Sequence, residues 1–365
     1  MLAFSSLLGN VEGQNIYRIW YDKPASYWEE ALPVGNGRIA AMVFGDPQLE
    51  QIQLNEETVS AGSPYQNYNE EAKTALPEMR RLIFEGKYEE AQNMAATKIL
   101  SQVGNEMPYQ TVGRLNIRYQ DHKKVNNYYR DLDISNAVAV ARYEVDGVEF
   151  TEETFASFTD QLVIRHIKAS KPGTINCELF FNTPMRDPKR SIYGKKGLRL
   201  EGITHGSRYF PGKVHYCADL DVKHKGGKVI TANDTLLSVQ GASELTLYIS
   251  MATNFVNYKD ISGDPYQRNK AYLKNAAKDY SKAKAAHIAA YQKQFNRVTL
   301  DLGETSQANK PMDVRIKEFS SSYDPALIGF HLHSPDASPP TCRANGIITR
   351  DLPGAAIIQR ILMLK

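Results

Sequence analysis

The pattern of apolar and polar positions divides the chain into a long strand-rich stretch, a helical interruption and a helical end. Ile16–Tyr21, Arg38–Phe44 and Leu49–Leu54 have strand composition, the last two split by the turn signal Gly45-Asp46-Pro47. Over 70–100 the period changes. Ala72, Ala75, Leu76, Met79, Leu82 and Ile83 share one helical face, Gly86 stops it, and Tyr88, Ala91, Ala95 and Ile99 predict a second short helix. From 112 to 252 strands return. The clearest hairpin joins 137–145 to 148–155 through Asp146-Gly147. Leu162–Ile167, Thr174–Phe181, Val214–Val222 and Leu245–Met251 continue the series.

Many strands with few helices predict a mainly β chain, a large antiparallel β-sandwich of the supersandwich kind. Asp264 can cap a helix with Pro265 at its first position. Leu273, Ala276, Tyr280, Ala283, Ile288, Tyr291 and Phe295 then carry the helical spacing to about 296. Lys270, Lys274, Lys278 and Lys282 form a solvated stripe. Val298–Leu302 reads as a short strand. The expected units are a sandwich over 16–260, a helical linker over 261–300, a further helical start over 301–329, and an aberrant tail over 330–365.

Composition narrows the function. Forty-four Lys and Arg against 41 Asp and Glu leave a formal charge of +3, without the basic footprint of a nucleic-acid binder. No run approaches the apolar length of a membrane helix. Twenty-one tyrosines against two tryptophans suit strands and sugar-facing surfaces alike. Cys177, Cys217 and Cys342 form no CxxC pair, so buried thiols are expected rather than zinc ligands or a disulfide scaffold. Met1–Leu8 is apolar without a basic flank and lacks the form of a secretory signal, so either the chain is not exported or its start lies upstream, the second being the preferred expectation.

Gly35-Asn36-Gly37-Arg38-Ile39-Ala40 matches GxGxxA, but a strand-like run rather than a helix follows it. A tight turn feeding a strand is the expectation, not a nucleotide site. No GxSxG, HExxH or P-loop occurs, and His215 with Cys217 lacks further metal ligands. No cofactor and no metal are expected.

Carboxylates carry more weight, because glycosidases use them in pairs. Glu29-Glu30 and Glu56-Glu57 are adjacent pairs, whose members point to opposite faces on a strand. Their plain reading is solvated surface acids. Asn55 and Glu56, taken to lie between a strand and the Gly62-Ser63-Pro64 turn, are the candidate substrate-binding residues.

Five motifs recur in register. They are Tyr27-Trp28-Glu29-Glu30-Ala31-Leu32-Pro33-Val34-Gly35-Asn36-Gly37-Arg38-Ile39-Ala40-Ala41-Met42-Val43-Phe44-Gly45, Gln53-Leu54-Asn55-Glu56-Glu57-Thr58, Arg81–Tyr88, Pro108–Gly113 and Asn127–Asp133. Together they resemble the N-terminal domain of glycoside hydrolase family 95, the inverting α-L-fucosidases, from about 16 to about 328. The resemblance implies a β-sandwich, a helical linker, an (α/α)6 catalytic barrel and a C-terminal β-domain. Here it implies only the first two and the beginning of the barrel. It implies a fucosylated oligosaccharide as substrate, and members that are often periplasmic or secreted. The family's catalytic acid, and the Asn and Asp residues that hold its water, lie in the barrel, and no position here matches them.

Val59-Ser60 stands where the family usually places Trp. The likeness ends near 329, where the tail loses Tyr, Trp and Glu and gains Pro335, Pro339, Pro340 and Pro353. A shifted reading frame, and hence a truncated product, is the expectation for the tail. Three readings stay open. The chain is a fucosidase fragment inactive alone, a stand-alone carbohydrate-binding or docking sandwich, or a hydrolase using Glu56 or Glu30.

Overall fold

A computed structural model describes residues 18–101, 107–206, 210–277 and 279–330. The tail from 331, Cys342 and the first 17 residues lie outside the described residues.

Among the described residues, sixteen strands make two sheets. The first half of the chain forms β1 (Arg18–Tyr21), β2 (Leu32–Gly35), β3 (Ile39–Val43), β4 (Leu49–Glu56), β5 (Gly113–Tyr119), β6 (Asn126–Asp133), β7 (Val138–Val145) and β8 (Val148–Ala156). The second half forms β9 (Val163–Ala169), β10 (Ile175–Asn182), β11 (Arg186–Tyr193), β12 (Gly197–Ile203), β13 (His215–Lys225), β14 (Lys228–Asn233), β15 (Leu236–Ala242) and β16 (Glu244–Thr253).

The larger sheet has nine strands in the order β1-β6-β7-β8-β9-β16-β13-β12-β11, and the smaller has seven in the order β14-β15-β10-β5-β4-β3-β2. Neighbours run antiparallel throughout, for example Leu32 opposite Val43 and Thr246 opposite Lys223. The mainly β architecture of two large antiparallel sheets is therefore observed.

Period-two patterning drives the layers together. Along β4, Ile52 and Leu54 are fully buried between the sheets, while Gln51 and Gln53 face outward. Leu115, Ile117, Leu179, Leu237, Leu247 and Ile249 fill the same interior. That interior also holds a charged knot. Arg165 pairs with Glu50 at 3.1 Å across the sheets and with Glu152, and donates to Thr154 Oγ1 at 2.8 Å. Tyr119 and Tyr143 both donate to Glu152.

The hairpin at Asp146-Gly147 forms as its dipeptide demands, with φ of 48° and 70°. Gly37, at φ 91°, turns β2 into β3. Cys177 and Cys217 are buried free thiols, and burial pushes both thiols up.

The helices are α1 (Ala72–Phe84), α2 (Tyr88–Met94), α3 (Pro265–Asn275), α4 (Tyr280–Phe295) and α5 (Met312–Glu318). In α1 only Leu82 is buried, whereas Ile83 and Phe84 are exposed, and the helix packs chiefly on α2. Asp264 caps α3 as read, accepting from Tyr266 N and Gln267 N.

Two expectations are corrected. The single helix over 265–296 is split, because Ala276 turns extended and Asp279 caps a new helix by accepting from Lys282 N. Ala277 N is instead drawn to Asp160 Oδ1 at 2.9 Å. Residues 298–302 form no strand. Val298 and Leu302 stay exposed, with no neighbouring strand to complete a ladder. Helices α3 and α4 lie on the outer face of the nine-stranded sheet, where Val138, Val140, Phe155, Ile164 and Tyr248 meet Leu273, Ala283 and Ile288.

Candidate functional site

The strand order sends every long loop of the sandwich to one pole. Strands β4 and β5 are linked there by 57–112, which carries α1 and α2, β12 and β13 by 204–214, and β16 and α3 by 254–264. At the opposite end the described connections are shorter, the longest being 22–31. Long loops on a rigid sheet end are where binding groups gather.

Glu56 is the last residue of β4, not a loop residue as the sequence suggested. Its parity turns the side chain between the sheets, and it is buried rather than solvated. Its Oε2 accepts from Thr58 N at 2.8 Å and Thr58 Oγ1 at 2.6 Å. Thr58 Oγ1 also meets Thr253 Oγ1 at the end of β16. Arg38 Nη1 stands 3.7 Å from Glu56 Oε1. Burial raises the Glu56 carboxyl above its ordinary range, against the opposing pull of the Thr58 hydrogen bonds and of Arg38.

Arg38 is the fastener of this pole. It donates to Gln161 Oε1 at 2.8 Å, Gln161 O at 2.9 Å and Met251 O at 2.7 Å. Its guanidinium lies 4.5 Å over the Tyr272 ring of α3. One side chain thus ties the start of β3, the β8–β9 turn, β16 and α3. The turn that aims it is built by Asn36, whose Oδ1 accepts from Arg38 N and Ile39 N and whose Nδ2 donates to Ser157 O.

Asn55 faces the other way, half-buried on the outer side of the seven-stranded sheet, opposite Ala40. Asn55 and Glu56 are thus adjacent but not convergent. Glu30 does not join them. It lies beyond the far end of β2, buried, with Oε2 accepting from Ser26 N, and its carbonyl receives Arg130. Four residues of β2 separate the two acids, on the order of 13 Å of strand. An inverting pair needs about 6.5–9.5 Å. Reading from sequence missed Arg38, Gln161, Thr253 and Tyr272. The arginine's place directly after the Gly-Asn-Gly turn was the available signal. Among the described residues no group of three or more His, Cys, Asp or Glu could hold a metal ion, and no helix is long and apolar enough to cross a membrane.

Residues 19–258 match the family described as "Glycosyl hydrolase family 65, N-terminal domain". The chain belongs to that family. Residues 279–333 match "Glycosyl hydrolase family 95 catalytic domain", so the family 95 resemblance read from the motifs holds. The chain is 31% identical over 386 residues to "Alpha-L-fucosidase 2" of Arabidopsis thaliana, covering 94% of this chain and 45% of that protein. It is 26% identical to "Probable alpha-fucosidase A" of Aspergillus niger, covering 84% of this chain and 40% of the relative. The chain thus spans less than half the length of these curated relatives. A solved structure titled "Putative kojibiose phosphorylase from human microbiome" aligns with TM-score 0.44 and 11% identity, over 82% of this chain and 40% of that one.

Proposed function

We propose that this chain is the N-terminal sandwich and linker of an inverting α-L-fucosidase that releases terminal α-L-fucosyl groups from glycans. The sandwich would span 16–260, the linker 261–300 and the first barrel elements 301–329. The reading is supported by the tandem order of the two family matches, 19–258 then 279–333. Both named relatives are fucosidases by title. The burial of Glu56 carries the second half of the proposal, that these residues do not perform hydrolysis themselves. A carboxyl locked by Thr58 and faced by Arg38 has no open side for a substrate or an activated water. Glu56 then serves as a positioning residue that shapes the loop pole, and outward-facing Asn55 is the candidate for glycan contact.

The test is fucose release from 2′-fucosyllactose by the 365-residue chain and by a longer chain carrying a complete family 95 barrel. Release by the longer chain alone is expected. Release by the 365-residue chain that Glu56→Gln abolishes would overturn the reading.

A further inference from the structure

Away from the loop pole, the outer face of the nine-stranded sheet is open and polar. Helix α4 begins beside this open half, and the angle between sheet floor and helix end encloses a cleft of about 470 Å³. That volume is in the range of small-ligand pockets. The floor is a cross-strand row in which Thr151 faces Lys168, Lys168 faces Glu244, and Glu244 faces Lys225. Their inward neighbours Phe150, Ile167 and Leu245 belong to the core, which directs the row outward.

The charges cancel. The lining holds three lysines, Lys168, Lys223 and Lys225, and three acids, Glu153, Glu244 and Asp279. Such a surface favours neither an anion nor a cation. It does offer fixed donor and acceptor pairs, which neighbouring sugar hydroxyls can bridge in both senses. Lys225 holds Glu244 through Oε2 at 2.7 Å, and His166 Nε2 lies 4.0 Å from the same oxygen. Lys284 and Tyr280 orient Glu153. The wall is aromatic, with the Tyr280 ring stacked on His166 at 4.0 Å and 15°. His166 Nδ1 is tied to Thr246 at 2.9 Å, and burial lowers the imidazole's pKa.

We propose that this cleft is a second glycan site, taking a neutral oligosaccharide at a distance from the loop pole. The choice of a glycan among neutral polyols rests on the fucosidase reading; the cleft itself does not.

Calorimetric titration of the 365-residue chain with 2′-fucosyllactose and with lactose tests it. Saturable binding is expected, with affinity insensitive to salt because the ligand is uncharged. Lys168→Ala, at an exposed position, and Glu244→Gln should each weaken binding about tenfold or more. Absence of binding, affinity unchanged in both variants, or preference for an anionic oligosaccharide with steep salt dependence would each overturn the proposal. Fucose release by the longer chain, assayed separately, keeps the two readings apart. Release with an empty cleft removes only this one.

Discussion

Arg38→Ala removes a side chain that fastens both sheets and α3 at the loop pole. It deletes three hydrogen bonds from a charged donor, at 2.7–2.9 Å, and the 3.7 Å partnership with Glu56. The Arg38 side chain is 18% exposed and that of Glu56 6%, so little water replaces what is lost. Breaking a pair this buried costs about 3–5 kcal/mol, and we take about 4. For a domain of this size that is about a 10 °C fall in Tm. The loss also depends on pH. The folded Glu56 carboxyl is already raised by burial. Its ionised form is thus less favourable in the folded than in the unfolded chain, and stability is lost as pH rises out of the ordinary carboxylate range. Without Arg38 the carboxyl rises further, so the deficit grows with pH. Urea unfolding followed by tyrosine and tryptophan fluorescence, at about pH 4 and about pH 8, reads both effects. Arg38→Lys keeps the charge but not the fork, and about half the loss is expected. A deficit under about 1 kcal/mol at the higher pH, or one equal at both, would refute the fastener.

Three other outcomes follow from single residues. Gly113 sits at φ +141°, and a Cβ there would lie 2.5 Å from Asn182 O. Gly113→Ala should therefore cost more than about 3 kcal/mol by urea unfolding, and a near-neutral result would mean the β5 start shifts freely. Burial lifts the Glu50 carboxyl to about 7, with Arg165 opposing. That part of the stability is greatest below the ordinary glutamate range and is lost as pH rises to about 7, so Glu50→Gln should flatten the urea midpoint across this window. Asp264→Ala removes the acceptor for two amides at the start of α3. It should cost about 1 kcal/mol, read as the same urea midpoint shift, and a stabilised variant would contradict the cap.

Local chemistry was legible in the chain without its fold. Strand composition marks β3, β4, β7 and β8, Asp146-Gly147 marks the β7–β8 turn, and Asp264-Pro265 marks the start of α3, because each signal acts between near neighbours. Helical spacing could not show the break at 276–279. The apolar period runs straight through it, while the interruption comes from Asp160, 117 residues away.

The motifs that place the chain in its family are separated in sequence, yet several come together in space. Asn36 and Arg38, Asn55 to Thr58, the 108–113 segment and Asp133 all arrive at one pole because the strand order folds them there. Their residue types were readable in advance, but their roles were not. Glu56 read as a candidate substrate-binding residue, or plainly as a surface acid, and it lies buried, since its parity on β4 and its meeting with Arg38 and Thr58 depend on where the sheets close. Arg38 read as the start of a strand after the Gly-Asn-Gly turn and became the fastener, since its acceptors come from positions 123 and 213 residues away. Strand, turn and cap follow from short-range propensity. Burial and the identity of a charge's partner follow from long-range contacts, which exist only once the two sheets and helices α3 and α4 have packed.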